Sequence, residues 1–455
     1  MSKPTDIRVR EVRFSFEDVK LRSPLKFGTG VIEELTYAKA TLEAENQRGQ
    51  TGIGYGSILL SDLWAYPSDH LSHSGRDTAM RNACRQIANM FPEATGHPLD
   101  IVMERKENYQ QVADRITEEL DLSDPFPLLA ALVCASPVDA ALHDAFGKSN
   151  GIDTYRGYGK DFWENDLSRY LGAEFEGMRP DTFLSGDYAK QLPLFQLVGG
   201  ADQLTNRENH SEDHDTAHPQ SLEEWIRKEG VYCFKVKLSG TDPASDVQRT
   251  AQVAKVAGKT LAEIGQNEFH LTVDANEMCP DPDTVMEYLD HLEQDHPDAY
   301  QALLYLEQPT ARDLTAGRFD MKPVAERKPV LADEGITSIQ DMQLARKLGW
   351  SGVALKTCKG HTAALLCAIL AKKWDMIYSV QDLTNPGISL AHSVGFAGRI
   401  SPVMGVEANA RQFLADPARE LKDLHPGFFQ ITNGTLDLGS LSGPGLGYKI
   451  AESYD

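Results

Sequence analysis

Paired cysteine spacing is absent: the six cysteines (Cys84, Cys134, Cys233, Cys279, Cys358 and Cys367) are scattered and no CxxC occurs. In a chain of this length that argues against a disulfide scaffold or a zinc framework and fits reduced thiols. Basic charge is in short supply: 45 Lys and Arg stand against 67 Asp and Glu, a formal net charge of -22. Nucleic acid and anionic membrane are therefore not expected as partners, because both call for basic surface. A small anionic substrate stays open, since a local cationic pocket can oppose the overall field. Long hydrophobic runs are missing too. The longest, 128–135, is followed by Pro137 and Asp139 and is too short to span a membrane. The opening MSKPTDIRVREV has no apolar stretch of the signal-peptide kind, so a cytoplasmic location is expected.

What is present divides the chain. Its 455 residues exceed one ordinary core, so two domains, or a large barrel with a satellite, are expected. Over 7–61, short alternating runs (IRVREVRFSF, YAKATLEAEN, IGYGSILL) predict a small antiparallel sheet. Two segments within it, 21–29 and 59–67, read as loops. Residues 76–150 read as helical, and the clearest helix holds SPVDAALHDAFGK, with Ser136 and Pro137 as its start signal. Residues 151–190 have no clear period and read as a structured connection. From Pro193 the rhythm changes. PLFQLV, YCFKVKL, FHLTVD, ALLYLE, KPVLAD, SGVALK, MIYSV and ISPVMGV read as strands separated by helices. The first of those helices opens on Ser221-x-x-Glu224, a capping box. Eight strands, each followed by a helix, over roughly 240 residues make the pattern of a (β/α)8 barrel. The Gly-rich stretch 428–448 is predicted to run back to the N-terminal sheet.

Charged residues recur at one relative place on those strands. Lys235 and Lys237 close the second strand on a single face, because side chains alternate. Asp274 ends the third, Glu307 the fourth, Asp333 followed by Glu334 the fifth, and Lys356 the sixth. Singly each has an ordinary explanation: a solvated edge lysine, a helix-capping aspartate, a loop glutamate. Five in phase on successive strands do not. Active sites of such barrels sit at the C-terminal strand ends. Three adjacent carboxylates there repel unless a cation lies between them, and a hard divalent ion, Mg²⁺ with Mn²⁺ as substitute, fits oxygen donors. Lysines on both sides would flank a carboxylate substrate and stabilise the enediolate formed when its α-proton leaves. A lysine base must be neutral, and burial, the metal and a neighbouring ammonium are expected to push its pKa down.

With Lys235-Val-Lys237, Asp274-Ala-Asn276, Glu307-Gln-Pro309, Asp333-Glu334 and Lys356 in place, the sequence resembles the enolase superfamily. The likeness is to its muconate-lactonizing-enzyme and mandelate-racemase-like branch, and it spans nearly the whole chain. It implies an α/β fold: an N-terminal α+β capping domain (1–190), a modified TIM barrel of (β/α)7β form (191–430) and a C-terminal segment returning to the cap (431–455). It assigns Asp274, Glu307 and Asp333 to Mg²⁺ and makes Lys237 and Lys356 the opposed acid/base pair. Lys235 would tune Lys237 or contact the substrate carboxylate; Asn276 and Glu334 would support the ligands. The seventh strand, MIYSVQD, has no His, unlike the mandelate-racemase and acid-sugar-dehydratase pattern. The resemblance therefore points to racemisation or epimerisation, cycloisomerisation, or β-elimination of a small carboxylate. A sugar-acid dehydratase and a non-catalytic metabolite-binding protein are the alternatives. Asp382 stands where many relatives carry Glu, and Glu407 is read as facing the substrate or starting a helix. The eighth strand lacks the Asp-x-Asp that resembles dipeptide epimerases. Arg22, Lys26 and Trp64 are candidate substrate contacts from the cap. His210, His214 and His218 recur every four residues in a long polar loop, a solvated lid or a metal-binding spacing. A homo-oligomer is the expected assembly.

Overall fold

A computed structural model describes residues 3–27, 30–206 and 218–451, without the side chains of 25–27 and 30. In the N-terminal domain β1 (Ile7–Phe27) and β2 (Gly30–Asn46) form one long antiparallel hairpin. β3 (Thr51–Leu59) and β4 (Thr95–Gly96) complete a sheet of order β3-β2-β1-β4. Alternation drives it: Ile7 and Val9 are buried while Arg8 and Arg10 face solvent. The predicted loop at 21–29 is mostly strand. Its pairing with β2 shifts register between Lys20 and Leu25, where Pro24 has no N–H to give a ladder. Residues 59–67 hold the single-turn helix α1 (Asp62–Ala65).

Four helices cover the sheet: α2 (His73–Ala88), α3 (Pro98–Lys106), α4 (Tyr109–Glu119) and α5 (Leu128–Asn150). The predicted start of the last at Ser136 and Pro137 is wrong, because α5 begins at Leu128 and carries Pro137 inside. Proline there deprives the Val133 carbonyl of its backbone donor, and the Ser136 hydroxyl supplies one at 2.9 Å. α5 is long and apolar enough to cross a membrane, but 94% of its apolar window is buried inside the molecule. It lies directly on β3. A Cβ at Gly52, Gly54 or Gly56 would stand 2.4, 1.9 or 2.1 Å from the backbone of Ser149, Ala141 or Pro137. The Gly-x-Gly-x-Gly run of β3 thus faces an i, i+4 stripe of the helix.

After α6 (Ser168–Leu171), eight parallel strands follow: β5 (Gln191–Val198), β6 (Cys233–Lys237), β7 (His270–Asp274), β8 (Leu303–Glu307), β9 (Val330–Ala332), β10 (Gly352–Lys356), β11 (Ile377–Gln381) and β12 (Val406–Glu407). Pairing of β12 with β5 closes the barrel. Its outer helices are α7 (Leu222–Glu229), α8 (Pro243–Glu263), α9 (Pro282–Asp295), α10 (Pro297–Ala302), α11 (Leu314–Gly317), α12 (Lys322–Arg327), α13 (Ile339–Lys347), α14 (His361–Lys373) and α15 (Gly387–Ile400). The eighth strand is followed only by one turn, α16 (Ala410–Phe413), not a full helix. The Ser221 hydroxyl caps α7 through the Glu224 N–H, but Glu224 reaches back to the Gln220 N–H rather than to Ser221, so the box is displaced by one residue. Within 428–448 the strand β13 (Thr435–Asp437) pairs with β5 of the barrel, not with the N-terminal sheet. The tail beyond it touches the cap, where the Leu446 N–H meets Asp144 at 3.0 Å and the Tyr448 hydroxyl meets the Tyr55 carbonyl at 2.7 Å.

Candidate active site

Strand register brings the charged residues together at one end of the barrel. Lys237 on β6 pairs across with Asp274 on β7, and Asp274 with Glu307 on β8. The Lys235 ammonium is buried and lies 2.8 Å from Glu307, 2.9 Å from Glu407 and 3.1 Å from Asp274. Lys237, less enclosed, donates to Asp274 at 2.6 Å and to the Asn276 side-chain oxygen at 2.8 Å. On the far side Lys356 donates to Asp333. Asn276 also donates to Asp274, and Glu334 accepts from the Trp64 indole at 2.8 Å. Glu407 lies in the site, held by Asn409 as well as by Lys235. Asp382 is buried at the β11 end, where one oxygen accepts from the Thr384 N–H.

Charge in this cluster is unbalanced. Six carboxyl groups (Asp274, Glu307, Asp333, Glu334, Asp382, Glu407) meet four lysines (Lys235, Lys237, Lys356, Lys359), a formal excess of two negative charges when all are ionised, which the raised carboxyls of Glu307, Glu334 and Asp382 relieve. Burial, reinforced by the neighbouring Asp274 charge, pushes the Glu307 carboxyl up to about 7, despite Lys235. Burial and the adjacent Asp333 push Glu334 up to about 8, and burial with Glu407 raises Asp382. Two of the lysines are raised among these carboxylates. Burial opposes the charge of Lys235, but Glu307, Glu407 and Asp274 outweigh it and hold the ammonium well above its ordinary range. Lys356 is likewise raised against burial by Asp333 and Glu307. Carboxylates outnumber ammoniums here, so the Coulomb gain exceeds the desolvation cost.

Among the described residues, no three metal-ligating side chains are arranged to hold an ion. Asp274, Glu307 and Asp333 aim their oxygens at lysine ammoniums instead. The donor set nevertheless matches a hard divalent cation: three buried carboxylates stand at the ends of adjacent strands and offer only oxygen donors.

Two residues at the site escaped the sequence reasoning. Lys359, in the turn after β10, donates to both the backbone and the side chain of Asp333. Gln381, the last residue of β11, donates to Glu307 and lies 3.4 Å from Lys235. The inward alternation of MIYSVQD was the signal for Gln381. Trp64 does come to the site, with its ring 4.7 Å from the Lys356 ammonium. Arg22 does not: it donates to the Leu414 and Ala415 carbonyls and meets His218. The Lys26 side chain, His210 and His214 lie outside the described residues.

The whole chain superposes on solved structures of low sequence identity. A dipeptide epimerase from Cytophaga hutchinsonii complexed with Mg and dipeptide D-Ala-L-Val is 19% identical, with TM-score 0.62 over 98% of this chain and 97% of that one. The L-Ala-D/L-Glu epimerase from Bacillus subtilis gives 16%, TM-score 0.63, and coverage of 97% and 98%. The 2-chloromuconate cycloisomerase from Rhodococcus opacus 1CP gives 16%, TM-score 0.60, and coverage of 98% and 97%. No curated protein matches the sequence. Residues 219–454, more than half of the chain, match the enolase C-terminal domain-like family. The barrel, the cap and that match together place the chain in the enolase superfamily of enzymes, in its mandelate-racemase and muconate-lactonizing branch.

Proposed function

We propose that this protein is a Mg²⁺-dependent enzyme that removes the proton α to the carboxylate of a small substrate and returns a proton to the same carbon, a racemase or epimerase. The observation that carries this reading is the placement of Lys237 on β6 and Lys356 on β10, on opposite flanks of the carboxylates of β7, β8 and β9. One lysine takes the α-proton from its face and the other delivers a proton to the opposite face. Lys235 is not the base. Three carboxylates within 3.1 Å keep it a fixed cation, suited to hold a substrate carboxylate or stabilise developing negative charge. Asp274, Glu307 and Asp333 would hold the divalent cation, which supplies positive charge beside the enediolate. Trp64 covers the Lys356 side and excludes water from it.

The same lysine pair permits cycloisomerisation and syn elimination, which differ in what leaves after the proton. The test is solvent exchange: protein and Mg²⁺ in D₂O with a panel of amino-acid derivatives, dipeptides and sugar acids, the α-proton followed by NMR. Exchange with inversion supports the racemase or epimerase reading, and loss of water from a sugar acid supports a dehydratase. Absence of exchange across a broad panel favours a binding protein. Full activity in Lys237→Ala and Lys356→Ala would remove the two-lysine mechanism.

A further inference from the structure

Helix α14 begins directly after the turn that carries Lys359, and that turn directly follows Lys356. Its own N-cap position is Gly360, which offers no side chain to the first turn. The cap domain supplies the missing group. Asp139 of α5 accepts the Thr362 N–H at 3.0 Å with one oxygen and the Thr362 hydroxyl at 2.9 Å with the other. A carboxylate there both satisfies an orphan donor and meets the positive end of the helix dipole. The fit leaves no slack: Gly360 has φ +103, and a Cβ on it would stand 2.6 Å from the Asp139 carboxylate. Cys358, in the same turn, is buried inside the N-terminal domain's core rather than the barrel's.

The contact is anchored by a buried chain whose direction Asp139 fixes. Burial raises the Asp139 carboxyl, and in its ionised form it only accepts: the Thr362 hydroxyl then donates to it and accepts from His143 Nε2 at 2.9 Å, which also lies 3.4 Å from Asp139. His143 Nδ1 then accepts from the Tyr158 hydroxyl at 2.7 Å, and Tyr158 accepts from His361 Nε2 at 2.8 Å. His361 Nδ1 accepts from His392 Nε2, also at 2.8 Å. Each donor in the sequence His392, His361, Tyr158, His143, Thr362, Asp139 is used once, with all three imidazoles neutral. The chain joins α5 of the cap to α14 and α15 of the barrel.

We propose that Asp139 is a positioning residue for the lysine side of the site: it caps α14 across the domain boundary and thereby fixes the turn that carries Lys359 and directly follows Lys356, holding both lysines against Asp333. The catalytic significance of those lysines rests on the proposed function, but their placement does not, so the test reads placement without turnover. Amines of the folded protein are labelled competitively with acetic anhydride and the rate at each lysine is read by mass spectrometry. In Asp139→Ala, labelling of Lys356 and Lys359 should rise about fivefold, the scale of one lost helix cap acting on local opening, while Lys237 stays within about twofold. Asp139→Asn, which keeps an acceptor for the Thr362 N–H, should fall between, again with Lys237 within about twofold, whereas a general loss of stability would raise all three lysines together. If Asp139→Ala fails to fold, Asp139→Asn and Thr362→Val decide by the same readout. Unchanged Lys356 and Lys359, or an equal rise at all three lysines, overturns the proposal. Absence of α-proton exchange with every substrate tried would count against the proposed function and leave this result standing.

Discussion

Lys235 shows how one residue is defined by its surroundings. Its ammonium neutralises parts of Asp274, Glu307 and Glu407, all buried with it. Removing one partner of such a cluster strands the others, which costs about 3–5 kcal/mol. Lys235→Met should therefore lower the unfolding free energy by that amount in urea titrations near pH 8. Adding Glu407→Gln should recover part of the loss, and a strictly additive double variant would show that the two groups do not interact. For the proposed metal ligands, Asp274→Asn and Glu307→Gln should each weaken Mg²⁺ binding by calorimetry; unchanged affinity would mean that these carboxylates do not hold the ion. The five in-phase positions were legible because strand ends recur at a fixed place and only chemistry keeps charge there. Lys359 was not, since it sits on the turn after β10, where spacing carries no face. How many carboxylates surround the Lys235 ammonium was not legible either, because Glu407 comes to it from a strand 172 residues away.

At the scale of elements, the barrel strands were readable from short apolar runs, whereas α5 was not, because proline was taken as a start. The stop signal fails when a neighbouring side chain replaces the lost bond, as Ser136 does for Val133. Ser136→Ala should leave that buried carbonyl without a donor and cost about 1–3 kcal/mol. The glycines of β3 were likewise read only as part of an alternating strand. Their real function is to admit a helix backbone, which depends on a partner about 90 residues distant in sequence, on the order of a whole subdomain. Gly54→Ala forces a Cβ within 1.9 Å of the Ala141 carbonyl and should destabilise by about 1–3 kcal/mol or more. Gly75→Ala, in the first turn of α2 with only ordinary contacts nearby, should be neutral or stabilising by up to about 1 kcal/mol. Thermal unfolding of the two variants side by side checks the contrast, and similar effects would refute the packing account.

At the scale of the whole molecule, cap and barrel share one buried polar seam, and its histidines make stability depend on pH. Burial lowers His392 to about 4, and lowers His143 and His361 as well. Unfolded histidine titrates near 6.5. The unfolded chain therefore binds more protons below that pH, and stability present above about 6.5 is lost as pH falls toward 4. Glu307 and Glu334 at the mouth, raised to about 7 and 8, and Asp139 within the seam, also raised by burial, act with the opposite sign above their unfolded range. A bare pH profile thus mixes the mouth of the barrel with the seam, and a single substitution separates them. His392→Gln keeps a donor for His361 but cannot titrate. Its unfolding free energy should fall less steeply than that of the unaltered protein between pH 6.5 and 4, with a slope difference of up to about 1.4 kcal/mol per pH unit. Parallel profiles in urea denaturation across that window would show that the seam does not couple the two domains to pH.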